Sequence, residues 1–323
     1  MNDAIQERKS RYSNHPRVVV LGGGVGGARA ARALASVLPA TDLTIVGNVG
    51  DDEVRYGVYV SADLDTITYT LAGIEGPQGW GIAGDTFAAM DQMAALGEDT
   101  TFRLGDRDLA NCLVRTARLA DGQPLSAAIE ETAKALGVDL GILPATDDPL
   151  RTEILTTSGE RLAFQEYFVI RAQRDEVAEL AFAGAAEARP APGVIKAITD
   201  ADVVVIAPSN PPLSIWPILA VADISRTVRR HDRVVAISPL FGGVPLKGPA
   251  DRVLASLGLP PGNEGVAAAY DGLLSDLVVD DGDAVDVHQL TRPDLAVHAL
   301  NTMIDEGDAG KRFATDLLET LGW

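Results

Sequence analysis

Cysteine is almost absent. Cys112 stands alone in 323 residues, so the chain can form no intrachain disulfide and no cysteine cluster for zinc, and a reducing compartment is implied. Aromatic residues make up only 5 %, which leaves Ala, Val, Leu and Ile to build the core. Basic residues are also scarce: 27 Lys and Arg face 46 Asp and Glu, for a net charge of −19. Such a field opposes non-specific binding to nucleic acid or to an anionic membrane. No apolar run reaches the ~18 residues of a membrane span. The N-terminal stretch MNDAIQERKSRYSNHPR lacks the apolar core of a signal peptide. Residues 1–16 read as a flexible polar tail, and the expected location is cytoplasmic. The four histidines, His15, His231, His288 and His298, fall in unrelated contexts, which argues against a His-based triad or zinc site.

What remains is an α/β pattern. Arg17–Leu21 (RVVVL) reads as a buried strand, followed by glycines, a helical run over Ala28–Leu38 and a second strand, Leu43–Gly47. This opening predicts parallel pairing through a right-handed crossover. From about 62 to 140 the pattern is helical. Asp85 is expected to cap a helix running to Leu96, Asp106 to cap Asp108–Ala120, and Ser126 to begin a third helix ending at Gly137. Thr152–Thr157 and Arg161–Ile170 flank Ser158-Gly159 as a hairpin, and 171–192 reads as a surface connection. Buried strands return at Asp202–Ala207 and Arg233–Ser238, then helices at about 214–229, 249–257 and 263–270, late strands at Leu277–Asp280 and Leu295–Leu300, and a closing helix over 308–321. The fold class is α/β: a Rossmann-like parallel sheet core over 17–323, with 62–192 as an inserted, mostly helical portion carrying a β-hairpin.

Five constellations carry chemistry. Gly22-Gly23-Gly24-Val25-Gly26-Gly27 lies between strand and helix, with Gly22, Gly24 and Gly27 fitting G-x-G-x-x-G. Glycines let backbone amides approach an anion at the positive end of a helix. The bland reading is a tight turn packed for its own sake. A dinucleotide site would want an acidic residue at the end of strand two, where Val46-Gly47-Asn48 stands instead, which disfavours an NAD-dependent oxidoreductase. Asn48-Val49-Gly50-Asp51-Asp52 places two carboxylates at a parallel strand's C-terminal end. Ser61-Ala62-Asp63-Leu64-Asp65-Thr66, if extended, turns Asp63 and Asp65 to one side. Individually each Asp fits a cap or a solvated loop; together, beside a phosphate loop, they suggest Mg²⁺, which takes oxygen ligands and one or two carboxylates. Arg103-Leu104-Gly105-Asp106-Arg107-Asp108 offers arginines that could meet an anion or a planar ring. Pro208-Ser209-Asn210-Pro211 and Ser238–Gly243 each follow a buried strand and therefore share the glycine loop's edge. The metal also resolves a charge puzzle, because it converts a carboxylate-rich pocket into an anion acceptor.

These strings in this order resemble the 2-phospho-L-lactate transferase family (CofD/FbiA) of coenzyme F-420 biosynthesis. The matching segments are GGGVGGARAARAL, NVGDD, SADLDTITYTLAG, GWGIAGDTF, LGDRDLANCLVRT, LPATDDPLRTEI, FQEYFVIRAQ, APSNPPLSI and SPLFGGVPLKGPA, spanning roughly residues 17–250. The resemblance implies a homodimeric transferase. The acceptor would be Fo, a deazaflavin with a ribityl chain (7,8-didemethyl-8-hydroxy-5-deazariboflavin). The donor would be a guanosine diphosphate ester of a three-carbon acid (phosphoenolpyruvyl, phospholactyl or phosphoglyceryl), and GMP would leave. By the match, the guanosine diphosphate part lies along Gly22, Gly23, Gly24, Gly26 and Gly27, Ser209 and Asn210, and Ser238, Gly242 and Gly243. Fo lies near Asp65, Thr66 and Arg103. Asp51, Asp52 and Asp63 look like magnesium ligands or their immediate support, with Asp63 or Asp65 orienting the attacking hydroxyl. One departure stands out: where the actinobacterial type reads Pro-Asp-Leu-Asp-Thr, this chain has Ala62. A related branch that binds a nucleotide-sugar and regulates cell-wall metabolism shares the core; the retained DLDT and GDRD segments favour the transferase.

Overall fold

The structure, a computed structural model, describes residues 15–304 and 308–323; the expected tail lies, up to residue 14, outside the described residues. Seven strands form the central sheet: β1 (Val18–Gly22), β2 (Leu43–Gly47), β3 (Gly141–Pro144), β4 (Val203–Ile206), β5 (Val234–Ile237), β6 (Asp276–Asp280) and β7 (Ala296–Leu300). They pair in the order β7-β6-β5-β4-β1-β2-β3, and every pairing is parallel. β1, β4, β5 and β6 are buried along their whole length. That is why they read as unbroken Val/Ile/Leu runs rather than alternating ones: helices cover both faces. Strand order reverses between β1 and β4. In such sheets the ligand crevice opens at that point, beyond the strands' C-terminal ends.

Helix α1 (Gly24–Ala35) leaves the glycine loop and buries Gly27, Ala28, Ala30, Ala31, Ala33 and Leu34. This narrow small-residue face lets α2 (Ala62–Leu71) and the closing helix Asp308–Thr320 pack against it. The DLDT segment is therefore helical rather than extended. Its carboxylates fall in the first turn of α2, where a helix favours negative charge. Asp63 and Asp65, two positions apart on a 3.6-residue repeat, point to different sides of α2 rather than to one.

Helices α3 (Ala88–Ala95), α4 (Asp106–Ala120) and α5 (Leu125–Ala135) fill the stretch expected to be helical. The capping is exchanged between the first two. Asp85 accepts the amides of Arg107 (3.0 Å) and Asp108 (3.1 Å) at the start of α4. Asp106 accepts those of Ala88 (3.0 Å) and Ala89 (2.9 Å) at the start of α3. Each aspartate thus caps the other helix, contrary to the local reading. The span 62–192 also supplies β3 to the central sheet. The expected hairpin forms between Arg151–Thr156 and Arg161–Ala163. It gains a third strand, Val177–Ala183, in the stretch read as a surface connection. A second small core of Ile154, Leu162, Tyr167, Val177, Leu213 and Val253 lies beneath it. No described helix is long and apolar enough to cross a membrane.

Candidate active site

Because β1 and β4 are neighbours, the loops after them meet. The Ser209 hydroxyl donates to the Gly23 carbonyl (2.8 Å) and accepts the Gly23 amide (3.2 Å). Asn210 Oδ1 accepts the Leu213 amide (3.2 Å), while its Nδ2 is buried with no partner among the described residues. Such a donor lacks an acceptor that a bound ligand could supply. Two glycines in the loop are required by close approach: a Cβ on Gly23 would collide with the Asp63 carboxylate, and one on Gly26 with the Pro208 carbonyl. Gly24 alone in the loop has a left-handed φ, +61°. Its amide, the donor expected to meet a phosphate, is held at 2.7 Å by Asp63 Oδ1.

Asn48, the first residue beyond β2, ties the aspartates together. Its Nδ2 donates to Asp63 Oδ2 (2.9 Å) and Asp51 Oδ1 (3.2 Å), and its Oδ1 accepts the Gly50 amide (2.8 Å). Asp52 turns another way, accepting the hydroxyls of Tyr59 (2.7 Å) and Ser61 (2.8 Å). The structure therefore joins Asp51 and Asp63 through the Asn48 amide, with Asp52 alongside. The three do not form a tight cage: among the described residues, the one trio of metal-ligating types drawn within 4.8 Å is Asp65, Asp108 and Cys112.

The two groups differ electrostatically. Burial, reinforced by Asp63 and Asp52, pushes the Asp51 carboxyl well above the usual range. Burial lifts Asp52 to about 7 against the opposing pull of Arg151, and Asp63 to about 6 against hydrogen bonds from Asn48 and Gly24. Asp65, by contrast, forms a two-point ion pair with the fully buried Arg115, whose Nη1 lies 3.0 Å from Oδ2. Beside that pair, Tyr69 donates to Asp108 (2.7 Å) and accepts from Asn111 (3.0 Å), and burial plus the Asp65 charge raises Asp108 to about 7. A cation already fills the second group, and burial pushes its Cys112 thiol upward, so it is a poor seat for a metal. Asp51 and Asp63 offer only oxygens and share one neutral amide, a donor set that fits Mg²⁺.

Sequence comparison decides the family. The 2-phospho-L-lactate transferase CofD profile matches residues 18–310. The chain belongs to the CofD family. Among its relatives, a phosphoenolpyruvate transferase of Streptomyces griseus subsp. griseus is 41 % identical over 94 % of this chain and 98 % of that protein. One from Nocardia farcinica is 42 % identical over 79 % and 80 %. A solved UPF0052-family protein from Bacillus halodurans shares the fold at a TM-score of 0.62 and 16 % identity, covering 95 % of this chain and all of that one. The chain is a transferase of this family.

Within this CofD-family chain, the departure at Ala62 is conformationally mild. Ala62 is the first residue of α2, the one helical position that also accepts proline. Thr66 is buried one residue beyond Asp65. Arg103 is exposed, paired with Asp91 (2.8 Å) and stacked on Phe87 (4.9 Å to the ring centre), and is not drawn into the aspartate group. On the far side of the crevice, Ser238 donates to Asn263 (2.5 Å), and Asn263 in turn donates to Asp286 (2.8 Å) and Asp283 (3.3 Å). Gly242 and Gly243 adopt left-handed φ values of +60° and +79° with open space around them. Sequence reasoning missed Arg115 and Asn48 as site residues. Arg115 could have been found as a charge on the Cys112 face of α4, and Asn48 as an amide where the strand-two carboxylate was absent.

Proposed function

We propose that this transferase moves a phosphorylated three-carbon acid from a guanosine diphosphate ester onto the terminal ribityl hydroxyl of Fo, releasing GMP, as a cytoplasmic homodimer in coenzyme F-420 biosynthesis. One observation carries this reading: two buried carboxylates, Asp51 and Asp63, joined through Asn48 at the N-terminus of the glycine-loop helix, with no basic side chain among the described residues in direct contact. The family membership and the names of the relatives support the substrate class; phosphoenolpyruvate is the acid named for those relatives.

Mg²⁺ held by Asp51 and Asp63, with Asp52 in support, would neutralise diphosphate charge. The remaining work belongs to the chain. Gly22–Gly27, Ser209 and Asn210 bind the guanosine diphosphate part, with the Asn210 amide free to donate. Ser238, Gly242 and Gly243 close the other side. Fo lies toward Asp65, Thr66 and Arg103, where Arg115 fixes Asp65. The ribityl hydroxyl attacks the phosphorus that carries the acid, the bond to the GMP oxygen breaks, and Asp63 or Asp65 orients the hydroxyl and takes its proton. Such transfers depend mainly on positioning and charge neutralisation.

The test is mass spectrometry of the product from Fo, the donor ester and competing acids, alongside a titration of Fo fluorescence. A phosphodiester of Fo together with GMP is expected. Absence of Fo binding would overturn the reading in favour of a nucleotide-binding regulator.

A further inference from the structure

The donor ends in a carboxylate, and the pocket described above would repel it. Asp51, Asp52 and Asp63 line one wall, and the chain as a whole carries −19. Some cation must face the acid, and most of those nearby are engaged. Arg115 is committed to Asp65, Arg55 to Glu53 (3.4 Å) and the Phe102 ring, and Arg103 to Asp91 at the surface.

Arg151 is different. It opens the strand that runs against the Asp51 loop, where Thr152 donates its amide to the Gly50 carbonyl (2.8 Å). It makes no direct ion pair among the described residues. Its guanidinium lies over the Tyr59 ring (5.5 Å to the ring centre), with Nη2 3.3 Å from the Tyr59 hydroxyl and Nη1 2.6 Å from the Leu150 carbonyl. That hydroxyl is the one donated to Asp52. Arg151 therefore stands one hydroxyl beyond the aspartates, half-buried, oriented by a ring and a carbonyl, with part of its donor fork unused. Its charge acts on Asp52 and Glu53 at longer range, opposing the upward push of burial on both carboxyls without contacting either.

We infer that Arg151, braced on Tyr59, is the seat of the donor acid's carboxylate and sets the requirement for an acid in the transferred group. A planar guanidinium matches a carboxylate with two parallel hydrogen bonds, and the aspartates between it and the glycine loop leave the diphosphate to be handled elsewhere. The inference rests on the donor proposed above, and its test separates the two.

Equilibrium binding is measured for three probes in the presence of Mg²⁺: guanosine diphosphate, its three-carbon acid ester, and the ethyl ester that lacks the carboxylate. Wild type is expected to prefer the acid ester to the ethyl ester by roughly 10–100-fold, the range of hydrogen bonds to a charged partner. Arg151→Gln should erase that preference while holding guanosine diphosphate within about 2-fold, and Arg151→Lys should restore part of it because the charge remains and the fork does not. Wild type binding both esters equally would overturn the inference without any variant, as would equal losses for all three probes in Arg151→Lys. Failure of wild type to bind guanosine diphosphate at all would sink the proposed function instead.

Discussion

Two acidic groups sit on opposite sides of α2, and they solve the problem of buried charge in opposite ways. On one side Asp65 is closed off by Arg115, an internal counter-ion with no exposed surface. On the other, Asp51 and Asp63 share only the neutral amide of Asn48, and burial raises both. Burying carboxylates without a counter-charge is unfavourable, so the second arrangement suits the Mg²⁺ proposed above, which would supply that charge from outside. The first charge is balanced from within the fold and the second is not, although Asp65 and Asp63 belong to the same DLDT string.

The largest expected effect breaks the closed side. Arg115→Met leaves Asp65 buried and unpaired and should cost ~3–5 kcal/mol in urea unfolding. Asp65→Asn strands Arg115 in the same way, so its loss of turnover should come with a loss of stability. Asp63→Asn should instead leave stability unchanged or raised, because a repelling charge is removed, while turnover falls ~10²-fold or more. Equal destabilisation by Asp63→Asn and Asp65→Asn would erase the distinction between the two sides.

The next effect is pH dependence. Asp52 and Asp108 titrate at about 7 and Asp63 at about 6 in the folded chain, against about 3.8 when unfolded. Between those values the native state binds more protons than the unfolded one. Stability without divalent metal should therefore be full below about pH 3.8, fall as pH rises from there through 6 to 7, and level off above, by ~3 kcal/mol or more in total. Mg²⁺ requires the ionised carboxylates, so its stabilisation should be large at pH 8, ~2.7 kcal/mol at a hundredfold excess over Kd, and nearly absent at pH 5. Thermal unfolding with a chelator and with Mg²⁺ checks both slopes. A metal effect independent of pH would place the ion away from these carboxylates.

This contrast was only half legible in the sequence. The strand–glycine–helix–strand opening was readable because its signals are local: buried Val runs, a glycine loop and periodic alanines. The ordered motifs also located the acidic edge. Arg115 was not readable as the partner of Asp65, because fifty residues separate them and only tertiary packing joins them. Val177–Ala183 has a mixed pattern and becomes a strand by pairing with Arg151–Thr156. Gly141–Pro144 is too short to announce itself and is strand by virtue of β2 beside it. An extended DLDT segment stayed open as an alternative to the helix expected from about 62, because period two and the first helical turn cannot be told apart over four residues.

A smaller effect tests the open side from the glycine loop. Gly23→Ala would push into the Asp63 carboxylate, a movable side chain, whereas Gly26→Ala would push into the Pro208 backbone. Overpacking of this kind costs ~1–3 kcal/mol. Gly26→Ala should lie at the upper end in stability. Gly23→Ala should unfold more nearly like wild type yet lose Mg²⁺-dependent stabilisation, because Asp63 is displaced. If Gly23→Ala keeps that stabilisation, Asp63 is not a ligand.

The smallest expected effect concerns how the closed side is held in place. Asp85 lies ahead of α3 in sequence but accepts the first amides of α4, the helix that carries Arg115 and Asp108. Replacing it with alanine should cost ~1 kcal/mol, the usual value of a lost N-cap. The site of the damage is more informative than its size. In hydrogen exchange, the Arg107 and Asp108 amides should lose protection, while those of Ala88 and Ala89, capped by Asp106, should not. Because Tyr69 donates to Asp108 at the same helix start, loosening that turn should also weaken the surroundings of Asp65 without touching Asn48, Asp51 or Asp63. Loss of protection at Ala88 instead would restore the local capping order and separate α4 from the site.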